Sequence, residues 1–362
     1  MIKLRIIYTG GTIGGKADSQ GEIKGDIKWK GFINLLYRKY PSLKRDLERK
    51  NVELSHDTPV RKLSENMIPS DWTKIAIAVN KAIEEGIDSI VIAHGTDTMC
   101  YTSAALSFML QGIKIPVVLT GSNIPLEVKG TDAVTNMHDA IRVALDKQFK
   151  GIFMVFSGID KQPSDIHLGC RVRKVKFYDN CFESTNVDMI GKFKKGFPFK
   201  KLRIEIVNRQ LLDQVTEIND RKDYQLRKNI NDNISFFKVY PGFNPELIDH
   251  VIKEKGTKGI ILELYNSGTG CIENKYSLLE SLENAKSKNI PVFVTSQHKG
   301  NVTMDLYGSS TELKTRGAVS LNSMITEAAI PKLMWVLGQT SSKEEVEELM
   351  LTNICGEMEV NE

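Results

Sequence analysis

Short unbroken apolar runs recur through the first half of the chain: "IKLRIIY" at 2–8, "SIVIAH" at 89–94, "PVVLTG" at 116–121 and "GIFMVF" at 151–156. Runs of this length, rich in Val and Ile, predict strands buried on both faces, as in a parallel sheet. Between the first two, "SDWTKIAIAVNKAIEEG" switches to the helical period. Trp72, Ile75, Ala76, Val79 and Ile83 fall on one stripe, with Ser70 the expected N-cap and Gly86 the stop. A second alternation follows later in "ISFFKVY", "GIILELY" and "PVFVTS", with "NKYSLLESLENAKSKN" as a helix between the last two.

Between the two sets, residues 187–232 break the rhythm. They are charged and carry one hairpin-like piece, "KLRIEIV". The expected organisation is a larger N-terminal α/β domain over 1–190, an interdomain connection over 191–232 and a smaller C-terminal α/β domain over 233–362, both domains with mainly parallel sheets. No repeat or low-complexity tract alters this division.

Composition removes several function classes. The 362 residues are 41% hydrophobic and 26% charged, the balance of a soluble globular protein. Basic and acidic side chains, 49 and 45, are interspersed to a net charge of +4, so no basic block points to nucleic acid. The apolar runs fall far short of the roughly 20 residues a bilayer span needs, and no secretory leader pattern is evident. Five cysteines without a CxxC pair read as reduced thiols, and six histidines show no metal-binding spacing. The expectation is a cytoplasmic protein without metal or cofactor.

In parallel sheets ligands bind beyond the carboxyl ends of the strands. There the chain places three turns dense in Gly, Thr, Ser and Asp: "TGGTIGG", "AHGTDTM" and "LTGSNIPL". Such residues also serve ordinary turns, Gly for positive φ and Thr or Asp for helix caps. "TGGTIGG" has neither the lysine of a phosphate-binding loop nor the GxGxxG spacing. What remains is a hydroxyl, Thr12, flanked by glycines that let a small substrate lie against main-chain N–H groups, a setting that also stabilises an oxyanion. A threonine hydroxyl needs help to act as a nucleophile. "HGTDTM" offers Thr96 and Asp97, and "GCRVRKVKF" offers a lysine.

With those pieces in view, "TGGTIGG" followed by "HGTDTM" resembles the paired signature of the L-asparaginase and glutaminase family. The likeness continues through "TGSNIPL", "GTDAVTNMHDAI", "YPGFNPELI" and "KLMWVLG", over nearly the whole chain. It is strongest toward the type I, cytoplasmic branch and the asparaginase-like subunit of archaeal glutamyl-tRNA amidotransferase. The resemblance implies an asparaginase-like fold, with Thr12 as first nucleophile, Thr96 as second threonine, Asp97 orienting the substrate's amino group and Lys174 completing the set. It further implies that Ser64 holds the substrate's α-carboxylate beside Glu65, with Gly11, Gly95 and Ser122 lining the substrate site. A homodimer or homotetramer acting on a small amide, with neither nucleic acid nor membrane as partner, is the corresponding expectation.

One departure stands out. The family places a tyrosine in the loop after the first motif, and no tyrosine occurs between Ile13 and Leu36. Glu22, or Ser19 in a shifted alignment, takes that place. Lys174 is read first as a charged organiser of Thr96 and Asp97, because a carboxylate about 4 Å away favours the ammonium as strongly as burial opposes it. Plainer readings stand beside these. Ser64 is a turn residue before Pro69, Arg171, Arg173, Lys174 and Lys176 form a solvated strand face, and His94 is a satisfied core or turn histidine. Asp132 is an N-cap, Asn136 a surface residue, and Trp29 and Trp72 pack. The expected activity is hydrolysis of L-asparagine to aspartate and ammonia through an acyl-enzyme. A glutaminase or peptide-amide deamidase with a modified lid, and a non-catalytic amino-acid-binding or partner subunit, remain the alternatives.

Overall fold

The computed structural model describes residues 1–17, 23–26, 29–126, 128–158, 163–178, 181–195, 202–254 and 256–359. The chain divides into two compact units, Met1–Lys228 and Asn229–Glu362. Both are α/β, and each is built on one principal sheet.

The first unit's sheet contains, in chain order, β1 (Ile2–Tyr8), β2 (Val52–Asp57), β3 (Ser89–Ala93), β4 (Pro116–Thr120), β5 (Gly151–Phe156), β6 (Asp165–Leu168), β7 (Gly191–Lys195) and β8 (Leu202–Ile206). Their spatial order is β8-β7-β6-β5-β4-β3-β1-β2. Strands β1 to β5 pair in parallel, with Ile6 beside Val91, Val91 beside Val118 and Val118 beside Phe153. Strands β3, β4 and β5 are buried at every position. That explains their unbroken apolar runs, since neither face meets water. From β5 outward the pairing is antiparallel.

Residues 191–228, most of the stretch expected to link the domains, belong to this first unit. Strands β7 and β8 extend the sheet, and the helix Arg209–Arg221 buries Leu211, Leu212 and Val215. The polar and apolar alternation of "RIEI" in β8 is that of an antiparallel edge strand with one wetted face. It carries no parallel-strand signal for that reason.

The helix Pro69–Glu84 buries Trp72, Ile75, Ala76 and Val79 as expected, with Ala82 buried where Ile83 was expected. Its start lies two residues earlier than expected, with Ile68 at the N-cap position in place of Ser70. Pro69 opens the helix, where a missing N–H is harmless, and Asp71 rather than Ser70 accepts a cap bond, from Ile68 N–H at 3.2 Å. Gly86 follows the helix at φ +73°, the conformation of a C-terminal stop.

The second unit holds four parallel strands in sequential order, β9 (Ser235–Lys238), β10 (Ile260–Leu264), β11 (Val292–Ser296) and β12 (Ala318–Ser320). Ile260, Leu262, Leu282 and Val294 belong to its buried core. The expected helix of this unit spans Leu279–Ser287, and a separate 3-10 turn, Asn274–Tyr276, precedes it. No helix among the described residues is long and apolar enough to cross a membrane.

Candidate active site

The order β2-β1-β3-β4-β5 reverses direction between β1 and β3, so the connections leaving those two strands diverge. That is the switch point at which an open parallel sheet offers a crevice. "GGT" follows β1 there and "HGTD" follows β3. Gly10 and Gly11 adopt φ of +102° and +83°. A Cβ on Gly10 would run into the Lys62 carbonyl oxygen, and one on Gly11 would stand 2.5 Å from Gly95 Cα. A Cβ on Gly95 would in turn meet Ser64 Oγ at 2.6 Å. The glycines are required because three loops touch backbone to backbone, which brings Thr12, Thr96 and Ser64 onto neighbouring turns.

Lys174 reaches this edge from the short hairpin strand Val172–Lys174, paired antiparallel with Phe182–Ser184. Its ammonium donates to Thr96 Oγ1 at 2.9 Å and to Asp97 Oδ1 at 2.7 Å. The lysine side chain is 20% exposed and the aspartate 59%, so water screens the ion pair and its value lies in geometry more than in stability. Thr96 Oγ1 accepts from an ammonium that cannot accept in return, which leaves the Thr96 proton directed elsewhere. Ser64 is buried. Its Oγ accepts from the Asp97 N–H at 3.2 Å, and its carbonyl accepts from Thr98 Oγ1 at 2.8 Å.

Residues that sequence reasoning missed hold these loops in place. Asp71, fully buried, accepts from Lys62 Nζ at 2.6 Å and from Lys74 Nζ at 2.8 Å. Burial pushes the Asp71 carboxyl up, but the bonds from Lys62, Lys74 and the Ile68 N–H more than offset it and leave its pKa lowered. Lys62 N–H also donates to Thr9 O at 3.1 Å, which ties the Ser64 turn to the end of β1. An acid inside the apolar stripe beside Trp72 was the available signal.

Asp132 and Asn136 act on the third loop. Asp132 stands at the N-cap position of the helix Ala133–Ala144 as expected, but its side chain makes no cap bond and instead accepts from the N–H groups of Asn123 and Ile124 and from Asn136 Nδ2. Asn136 is fully buried, a correction to its reading as a surface residue. It donates to Gly121 O at 3.0 Å and accepts from Ser157 N–H at 3.1 Å. Behind Lys174, the buried Cys181 thiol lies 3.8 Å from Asn123 Nδ2, with its pKa pushed up to about 11 by burial.

Among the other expected residues, Thr12 is half-buried and opens the 3-10 turn Thr12–Gly14. Glu65 is exposed in the turn Ser64–Asn66. Ser122 is fully buried, and its Oγ has no hydrogen-bond partner among the described residues, so the hydroxyl faces protein rather than open space. Arg171 is buried and Lys176 exposed, so the basic run is not one solvated face. His94 is buried, and Trp72 packs in the core. Glu22 and Ser19 lie outside the described residues.

Known proteins share the two-unit α/β architecture. Residues 3–204 match the family model described as Asparaginase, N-terminal, and residues 233–350 match the Glutaminase/Asparaginase C-terminal domain. The chain is 34% identical over 299 residues to a Glutamyl-tRNA(Gln) amidotransferase subunit of Methanosphaera stadtmanae, an alignment covering 82% of this chain and 65% of that protein. It is 32% identical over 359 residues to the same-named protein of Metallosphaera sedula, covering 98% of this chain and 76% of that one. Among solved structures, the thermostable L-asparaginase of Thermococcus kodakarensis superimposes with a TM-score of 0.84 at 30% identity, over 99% of this chain and 100% of that one. With both halves matched and the fold shared along its length, the chain belongs to the asparaginase family.

Proposed function

We propose that the protein is an amidohydrolase that converts L-asparagine to L-aspartate and ammonia. The observation that carries this reading is the single ammonium of Lys174 bonded to both Thr96 Oγ1 and Asp97 Oδ1 at the switch point where Thr12 follows β1. Thr12 Oγ attacks the side-chain amide carbon and gives up its proton, and the C–N bond breaks as the amide nitrogen takes up that proton and leaves as ammonia. Water then cleaves the β-aspartyl ester and returns Thr12 to its free hydroxyl. Backbone N–H groups of Thr12 and Thr96, in glycine-flanked turns, receive the developing oxyanion. Lys174 holds Thr96 and Asp97 as a charged organiser. Asp97 keeps its second oxygen for the substrate's amino group, Ser64 and Glu65 receive the α-carboxyl end, and Gly11 and Gly95 shape the site. Fixing both ends of a small substrate positions its amide for attack.

A second reading has glutamine as the amide donor, favoured by the relatives that are Glutamyl-tRNA(Gln) amidotransferase subunits. Ammonia release from free asparagine and free glutamine decides between them. The asparaginase reading expects the higher kcat/KM on asparagine, and a preference for glutamine would replace it. The same reading has the enzyme work as a homodimer or homotetramer in the cytoplasm, the latter supported by five free thiols.

A further inference from the structure

His94 follows β3 and is completely buried, yet both its ring nitrogens are engaged. Nδ1 lies 2.7 Å from its neighbour's carbonyl, Gly95 O, and Nε2 lies 3.0 Å from Thr102 Oγ1. A carbonyl oxygen only accepts, so Nδ1 carries the proton and donates it. Burial pushes the ring's pKa down to about 4 against that bond's pull upward. The ring is therefore neutral at pH 7, and Nε2 accepts from the Thr102 hydroxyl.

The carbonyl held in this way is the one least able to hold itself. Gly95 has no Cβ, because Ser64 leaves no room for one, and a peptide beside glycine rotates at little steric cost. In a trans peptide the C=O and N–H point to opposite sides. Drawing Gly95 O toward the buried His94 ring therefore turns the Thr96 N–H away from the ring. Among the described residues that N–H has no acceptor, while the hydroxyl of the same residue receives the Lys174 ammonium.

We infer that His94 is a positioning residue for the reaction: its Nδ1–H clamps the Gly95 carbonyl so that the Thr96 N–H stays aimed at the acyl oxygen of the substrate. This rests on the amidohydrolase reading above. His94 itself touches no reacting atom. Its contribution is to remove the peptide rotation that glycine permits, at the point where an oxyanion donor must not move.

Two amide substitutions separate this role from simple core filling. Asparagine carries an N–H at the δ position and can keep the clamp, whereas glutamine places its amide at the ε position, within reach of Thr102 but not of Gly95. His94→Gln is expected to lose about 100-fold in kcat, the scale of removing one oxyanion donor, with KM for asparagine within about two-fold of wild type. His94→Asn is expected to recover most of that loss. Equal losses in the two variants, or an unchanged kcat in His94→Gln, would overturn the inference. Should His94→Gln fail to fold, the wild-type protein labelled with 15N-histidine supplies the test. An Nδ1-protonated neutral ring at His94 is expected by NMR, and an Nε2-protonated one overturns the clamp. Thr12→Ala assayed in parallel keeps the two ideas apart. A wild type that releases no ammonia overturns the amidohydrolase reading itself, full activity in Thr12→Ala overturns the nucleophile assignment, and an inactive Thr12→Ala beside an unimpaired His94→Gln overturns only the clamp.

Discussion

Gly11 and Gly95 meet backbone to backbone at the switch point of the first sheet, so closely that a Cβ on Gly11 would stand 2.5 Å from Gly95 Cα. Gly11→Ala therefore faces two penalties, the positive φ of +83° and a clash with main chain. Gly86 is the matched control, because its φ is +73° and nothing lies within 4 Å of its would-be Cβ. We expect Gly86→Ala to cost about 1 kcal/mol of unfolding free energy and Gly11→Ala at least about 2 kcal/mol more, read from urea denaturation. Equal costs would mean that the two loops are not in contact.

Lys174 and Asp97 form a partly wetted pair, so the lysine's role should appear in rate and not in stability. Lys174→Met is expected to lower kcat by about 100-fold or more while shifting unfolding free energy by less than about 1 kcal/mol. Lys174→Arg should not restore the rate, since a planar fork does not reproduce a point donor shared between Thr96 and Asp97. Steady-state kinetics beside denaturation curves would check both halves.

Much of this site was legible in the sequence because its residues sit in short turns directly after apolar strands. Thr12, Thr96 and Asp97 announce themselves through glycine-rich loops where a parallel sheet exposes its carboxyl edge. Lys174 needed the family resemblance, as an alternating basic strand looks the same whether its lysine meets water or a carboxylate. Asp132 and Asn136 could not be placed, since a helix N-terminal acid and an amide one turn later give no sign that they face inward to hold another loop. Strand β7 was hidden, and β8 showed only as the hairpin-like piece "KLRIEIV" without its place in the sheet, for a different reason. Antiparallel edge strands alternate polar and apolar residues, so they lack the run that marked β3 to β5.

The buried histidines set an acid limit on stability. Burial pushes both His94 and His167 down to about 4 from an ordinary 6.5. Both are neutral in the folded and unfolded chain above pH 6.5. As pH falls the unfolded state binds protons first, so stability drops between pH 6.5 and about 4, by up to about 3 kcal/mol for each ring. Urea midpoints of wild type and His94→Asn across that range should converge toward acid relative to their separation at pH 7.5. A separation independent of pH would show that His94 does not titrate in this way.

In the second unit, Lys332 and Glu357 form an ion pair 2.6 Å long with neither side chain exposed. The lysine also donates to the carbonyls of Met350 and Thr352, and Glu357 accepts from the N–H groups of Ile354 and Cys355. Burial pushes Glu357 up, but Lys332 and these bonds outweigh it, so its pKa ends below the ordinary 4.5. Glu357→Gln leaves the ammonium buried without its counter-charge and should cost about 3–5 kcal/mol at pH 7. The depressed pKa means that this stabilisation is complete above pH 4.5 and is lost as pH falls through the folded value. The wild-type advantage in urea should therefore shrink in acid below pH 4.5.

The nucleophile is the centre of the account, and ammonia release from L-asparagine by wild-type and Thr12→Ala protein tests it most directly. With both proteins folded to the same circular dichroism spectrum, the wild type is expected to turn over and the variant to lose activity by about 1000-fold or more. Equal ammonia release from the two would contradict the assignment of Thr12.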